Sequence, residues 1–120
     1  MQNIFSALVR PAAERFEPDL IMVSAGFDSH FSDPLSELQF TSHGYYALTN
    51  MLAELANDLC DGRLAFFLEG GYDLGALTES VCNVFCGLLG MPPVVELDTV
   101  QKAEPDLRLL ISDIKSIHNL

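Results

Sequence analysis

Cysteine, basic side chains and long apolar runs are all scarce in this sequence, and each scarcity removes a class of protein. The three cysteines, Cys60, Cys82 and Cys86, are odd in number and lack the spacing of a disulfide scaffold. They point to a reducing, intracellular compartment. Cys82 and Cys86 are four apart and share a helix face, but a metal pair would need two more ligands nearby. Buried apolar thiols are the better reading. Six basic residues stand against 17 acidic ones, for a formal net charge of -11. A phosphate backbone would be repelled, so no direct nucleic-acid contact is expected. A solvated acidic surface accounts for the charge most simply; a cationic, lysine-rich substrate is the functional alternative. No window has the unbroken length of a membrane span, so no membrane contact is expected. The N-terminus lacks the basic-then-apolar order of a secretory signal. Repeats, low-complexity stretches, a phosphate loop and a Ser-His-Asp set are also missing.

What is present is enough apolar content for a core. The chain has 120 residues, 49% of them hydrophobic, with mean hydropathy +0.25. That suits one ordinary domain. The pattern predicts a helix over 3–16, kinked or restarted at Pro11, then turn chemistry at Glu17-Pro18-Asp19. A first strand is expected over 20–24 and a long loop over 25–40. Thr41 or Ser42 can cap a helix that runs to Cys60, with Tyr45, Leu48, Met51, Leu52, Leu55 and Leu59 on one stripe. Asp61-Gly62 ends it.

A second strand follows over 63–68 and a glycine loop over 69–74. The next helix spans 74–89, with Leu77, Val81, Val84, Phe85 and Leu88 as its apolar stripe, and Gly90 and Pro92-Pro93 stop it. Residues 94–104 read as an irregular connector. The final helix spans 106–118, with Leu107, Leu110, Ile111, Ile114 and Ile117 inward. The order gives a parallel βαβ unit with a right-handed crossover and helices on the sheet faces. Two such apolar strands make a poor sheet alone and call for neighbours on both sides. Met1 also leads straight into an amphipathic segment. Both features suggest part of something larger.

The two strands share a layout. Leu20-Ile21-Met22-Val23-Ser24-Ala25 breaks at Gly26 and delivers Asp28. Leu64-Ala65-Phe66-Phe67-Leu68 breaks at Gly70-Gly71 and delivers Tyr72. Each reads as a buried parallel strand, and ligands of open α/β sheets sit beyond the carboxyl ends of such strands. Asp28 can ligate a hard or borderline metal or act as a base. Aspartate also commonly closes a backbone turn, and position alone leans that way. Glycines before Tyr72 let the backbone bend sharply and approach a ligand. The phenol can donate to a developing oxyanion or pack over the rim, and spacing leaves these two readings even. His30 would share a face with Asp28 only in a regular extended segment, and Asp33-Pro34 argues for loop, so a ligand role is the lesser reading. His43 falls in a helix's first turn and is expected to be exposed, and His118 near the tail reads as incidental. Gly70-Gly71 lacks the wider GxGxxG pattern, which leaves a nucleotide site unsupported.

Ser24-Ala25-Gly26-Phe27-Asp28-Ser29-His30, followed by Asp33-Pro34-Leu35, resembles the metal-ligand loop of zinc-dependent histone deacetylases. The class II type and the acetylpolyamine amidohydrolases are most similar. Leu68-Glu69-Gly70-Gly71-Tyr72-Asp73-Leu74 resembles the same family's catalytic glycine loop. Glu17-Pro18-Asp19-Leu20 and Arg63 also fit. The resemblance covers about residues 5 to 90, and 91–120 match only loosely.

The resemblance implies an α/β, parallel-sheet, three-layer arginase/deacetylase-like fold of which only the C-terminal βαβα part is present. Residues 1–90 would be the C-terminal part of the catalytic domain, and 91–120 a connector and C-terminal helix. It implies a Zn2+ ion held by two carboxylates and a histidine, which polarises the acetyl-lysine carbonyl and activates a water. Carried over by position, Asp28 matches the last zinc carboxylate and Tyr72 the oxyanion donor, while Gly70 and Gly71 shape the acyl-lysine channel. The family's His-His dyad and Asp-x-His ligand pair have no counterpart here. The isolated chain is therefore expected to be inactive. Its expected partners are an acetylated lysine substrate in a histone tail or other protein, and the missing N-terminal portion or another chain. An acetylated polyamine is the alternative substrate, and a non-catalytic interaction or competitor module the alternative function. The implied compartment is the nucleus or cytoplasm, or an organelle if a leader has been lost.

Overall fold

The computed structural model describes residues 4–35, 37–95 and 105–120. Residue 3 of the expected first helix and residues 96–104 of the expected connector lie outside this range.

The first helix is two segments, and Pro11 explains why. Proline has no N–H to donate, and its ring crowds the carbonyl four residues back. The turn ahead of it widens: Phe5–Val9 is π-helical, with the Arg10 N–H reaching the Phe5 carbonyl. Ordinary α geometry resumes in α1 (Arg10–Phe16). β1 (Ile21–Ala25) and β2 (Leu64–Leu68) then pair in parallel, Ile21 opposite Leu64 through Ala25 opposite Leu68. Both begin one residue later than the sequence pattern suggests, because the Arg63 carbonyl accepts from the Ile21 N–H (3.0 Å) where the ladder starts.

α2 (Ser42–Cys60) crosses between the strands. Of the two candidate caps, Thr41 acts: its hydroxyl accepts from the Gly44 N–H at 2.9 Å. The helix ends where Gly62, at φ +73°, lets its N–H turn back to the Ala56 carbonyl at 3.0 Å. α3 (Leu74–Leu88) starts at Asp73, whose carboxylate accepts from the Ala76 N–H at 2.7 Å. α4 (Arg108–His118) closes the chain, with Asp106 just ahead of it accepting from the Arg108 N–H. Arg15 of α1 donates to the His118 and Asn119 carbonyls at the far end of α4.

α2 and α3 pack on each other and cover one face of the sheet. Phe27, Tyr45 and Val84 form the buried centre, with Ala25, Phe40, Phe66, Leu77 and Val81 around it. The helices approach closely at Gly87, where a Cβ would meet the Thr49 side chain at 3.1 Å. No helix among the described residues is long and apolar enough to cross a membrane.

Several expected burials are not met. No residue of either strand is fully buried. Met22 and Phe67 are 64% and 51% exposed, because the described residues cover only one face of the two-stranded sheet. Apolar runs of this kind are suited to cover on both faces. Phe85 and Leu88 are exposed rather than part of the inward stripe of α3, and Leu110 and Ile117 are exposed on α4. Cys60 and Cys86 are buried as expected, but Cys82 is exposed. It sits where the core stripe of α3 gives way to the outer face.

Candidate active site

Parallel pairing puts the two strand-end loops side by side. The ladder continues past the strands: the Glu69 N–H donates to the Ala25 carbonyl at 3.1 Å, and the Phe27 N–H to the Gly70 carbonyl at 2.8 Å. Asp28 and Tyr72 therefore follow the same end of the sheet.

The Asp28 carboxylate lies in a cradle of two glycines. A Cβ on Gly26 would come within 2.9 Å of its Oδ1. A Cβ on Gly70 would collide with its Oδ2 and stand 2.8 Å from its Cγ. Gly71 has φ +132°, and a Cβ there would meet Phe27 Cβ at 3.0 Å. Both glycines of the second loop are thus required sterically, one by the Asp28 side chain and one by its own backbone. Asp28 is half-buried, and Tyr72 is 58% exposed at the rim.

A second aspartate joins the loops. Asp33 is buried, and its Oδ2 accepts from the backbone N–H of Tyr72 at 2.7 Å and of Asp73 at 3.2 Å. Its Oδ1 accepts from the Leu35 N–H at 3.0 Å. Burial pushes this carboxyl up. The hydrogen bonds from Tyr72, Leu35 and Asp73 outweigh that, with help from nearby His30, and hold it below the usual carboxylate value.

His30 is buried and ties the first loop to the helices. Its Nδ1 accepts from the Ser32 N–H at 3.2 Å, and its Nε2 lies 3.2 Å from the Ser42 hydroxyl, itself 3.2 Å from that of Ser80 on α3. Below the site, the Tyr45 ring meets Phe27 at a tilt (4.9 Å) and Phe40 edge-on (4.6 Å), with its hydroxyl 3.4 Å from the Gly26 carbonyl. Burial pushes the Tyr45 phenol up to about 12, and the charges of Asp28 and Asp33 add to the rise.

His43 departs from its expected exposure. It is half-buried, its ring lies 5.7 Å from Tyr46 three residues on, and its Nδ1 is buried without a hydrogen-bond partner. The bridging role of Asp33 has no mark in the sequence. Asp33-Pro34 reads as turn chemistry, and nothing local shows a carboxylate reaching the backbone 39 residues on.

Among the described residues no group of three or more His, Cys, Asp or Glu is placed to hold a metal ion. A catalytic zinc takes three protein ligands and one open position, whereas the glycine cradle presents a single carboxylate. The described residues by themselves do not make up the zinc site that the motifs imply.

A parallel sheet with a carboxylate loop and a glycine-tyrosine loop on one rim defines an α/β fold of the deacetylase type. The histone deacetylase domain model matches residues 1–88, and the chain belongs to that family. Histone deacetylase 14, chloroplastic, from Arabidopsis thaliana is 50% identical over 90 residues, which is 75% of this chain and 21% of that protein. The human polyamine deacetylase HDAC10 is 46% identical over 88 residues, 73% of this chain and 13% of that protein. The structure of the histone deacetylase Clr3 superposes with a TM-score of 0.77 at 35% identity, over 95% of this chain and 18% of that one. The chain thus spans between 13% and 21% of the length of these relatives.

Proposed function

We propose that this chain is the C-terminal part of a zinc-dependent deacetylase catalytic domain that hydrolyses acetyl-lysine in histones or other proteins. Residues 1–90 belong to that domain, and 91–120 form its connector and terminal helix. The observation that carries the reading is the seat of the Asp28 carboxylate against Gly70, in the loop that delivers Tyr72.

In the whole domain, Asp28 supplies one carboxylate of the metal site. The Tyr72 hydroxyl donates a hydrogen bond to the oxyanion formed when the acetyl carbonyl is attacked. Gly70 and Gly71 form wall where a larger residue would fill the acyl-lysine channel. The isolated chain has one ligand and no turnover. An acetylated lysine is the substrate, and the acidic balance of the chain suits the basic sequences around it. An acetylated polyamine is the second substrate reading, favoured by the relative named a polyamine deacetylase. The compartment is intracellular, and the relative named chloroplastic supports an organelle.

A non-catalytic module that pairs with another chain is the second functional reading, and the exposed apolar sheet face favours it. One comparison separates the two. The purified 120-residue chain is assayed on an acetyl-lysine peptide beside the domain extended upstream. Turnover and stoichiometric zinc only in the extended domain support the deacetylase reading. An extended domain with neither removes it.

A further inference from the structure

We propose that Asp33 is a positioning residue that sets where the Tyr72 hydroxyl stands relative to the Asp28 carboxylate. The inference rests on the deacetylase reading for its consequence, but its geometry stands apart from it. Tyr72 follows two glycines, one with φ +132°, and its own side chain is largely solvent-exposed. Packing of the ring therefore does little to hold it. Its backbone is held instead: Asp33 Oδ2 takes the N–H groups of both Tyr72 and Asp73.

The other end of that clamp is anchored. The Asp33 N–H donates to the His30 carbonyl at 2.9 Å. His30 is pinned to Ser42 of α2, which is bonded to Ser80 of α3. Asp73, the second residue clamped, is the cap of α3. One buried carboxylate thus fixes three things in register: the loop bearing Asp28, the residue bearing the phenol, and the start of a fifteen-residue helix. Alanine at 33 has no acceptor and loses the clamp outright. Asparagine keeps the size but has a single acceptor oxygen, which cannot serve the Leu35 N–H on one side and the Tyr72 and Asp73 N–H groups on the other, so the junction must rearrange.

The test labels the three tyrosines of the 120-residue chain with 3-fluorotyrosine and reads them by fluorine NMR, with Tyr72→Phe assigning one signal. In Asp33→Asn the Tyr72 signal is expected to shift and broaden while those of Tyr45 and Tyr46 stay. The Tyr72 and Asp73 amide protons should move upfield together. A Tyr72 signal unmoved in a folded Asp33→Asn or Asp33→Ala chain overturns the proposal. So does unfolding in both variants, which would make Asp33 a general fold residue.

In the extended domain, Asp33→Asn should lower kcat about 10-fold to 10²-fold, the size of a small misplacement of a reacting group, with KM little changed. If fluorine shifts appear while Tyr72→Phe leaves turnover intact, the deacetylase role of Tyr72 fails and the positioning stands. Silent fluorine signals beside a damaging Tyr72→Phe sink the positioning alone.

Discussion

At the scale of single residues, Asp28, Gly70 and Asp33 determine how the two loops meet. Gly70 is the most constrained, because Asp28 occupies the space a methyl would need. Gly70→Ala should displace the carboxylate and lower stability by about 1–3 kcal/mol, the range for overpacking, read as a lower denaturation midpoint. An unchanged midpoint would mean that Asp28 does not sit in the cradle. Asp33 gives a pH signature. Its carboxyl is held below the ordinary value of 3.8, so it favours the folded state fully above that value. The contribution is lost as pH falls through the folded-state value. Among the described residues His30, Tyr45, Tyr72 and Asp73 are ionisable neighbours of it. Denaturation curves taken from pH 7 down to pH 3 should show an acid loss of stability in the native chain that is shallower in Asp33→Asn. Parallel acid limbs would rule the clamp out. Asp28 and Tyr72 were both legible as strand-end groups because glycines announce their loops. Asp33 and His30 were not, since a turn aspartate and a buried histidine look alike in sequence whatever they reach across space.

At the scale of elements, punctuation made most boundaries readable. Thr41, Asp61-Gly62 and Gly90 sit where helices start or stop, and each has a local backbone reason, whereas the Asp73 cap of α3 shows only in the structure. The cap of α2 is the simplest to test: Thr41→Ala removes the acceptor for the Gly44 N–H and should cost about 1 kcal/mol, measured by chemical denaturation. No change would place the cap elsewhere. Burial was harder to read. Phe85 and Leu88 lie on the periodic stripe of α3, yet they are exposed. Periodicity tells which residues share a face, but not what stands opposite that face. The same holds for β1 and β2, whose uniform apolar runs specify burial on both sides while the described residues cover one.

At the scale of the whole molecule, the exposed faces are the dominant fact. Met22, Phe67 and Leu68 on the sheet and Leu74, Phe85 and Leu88 on α3 leave large apolar side chains in water. Patches of this kind drive association. The purified chain should run above monomer mass in light scattering, and Phe67→Glu should shift it toward monomer. A stable monomer across a broad concentration range would contradict this and weaken the view that the sheet is built to meet further strands. Membership of the deacetylase family agrees with that view, as does the lack, among the described residues, of a three-ligand metal group.

The central claim is that Asp28 and Tyr72 serve one reaction centre. It is tested most directly by turnover of an acetyl-lysine peptide in the extended domain with each residue replaced. Tyr72→Phe should lower kcat by about 10²–10³ with the metal retained, and Asp28→Ala should abolish both zinc binding and turnover. Full activity and zinc content in either variant would contradict the claim.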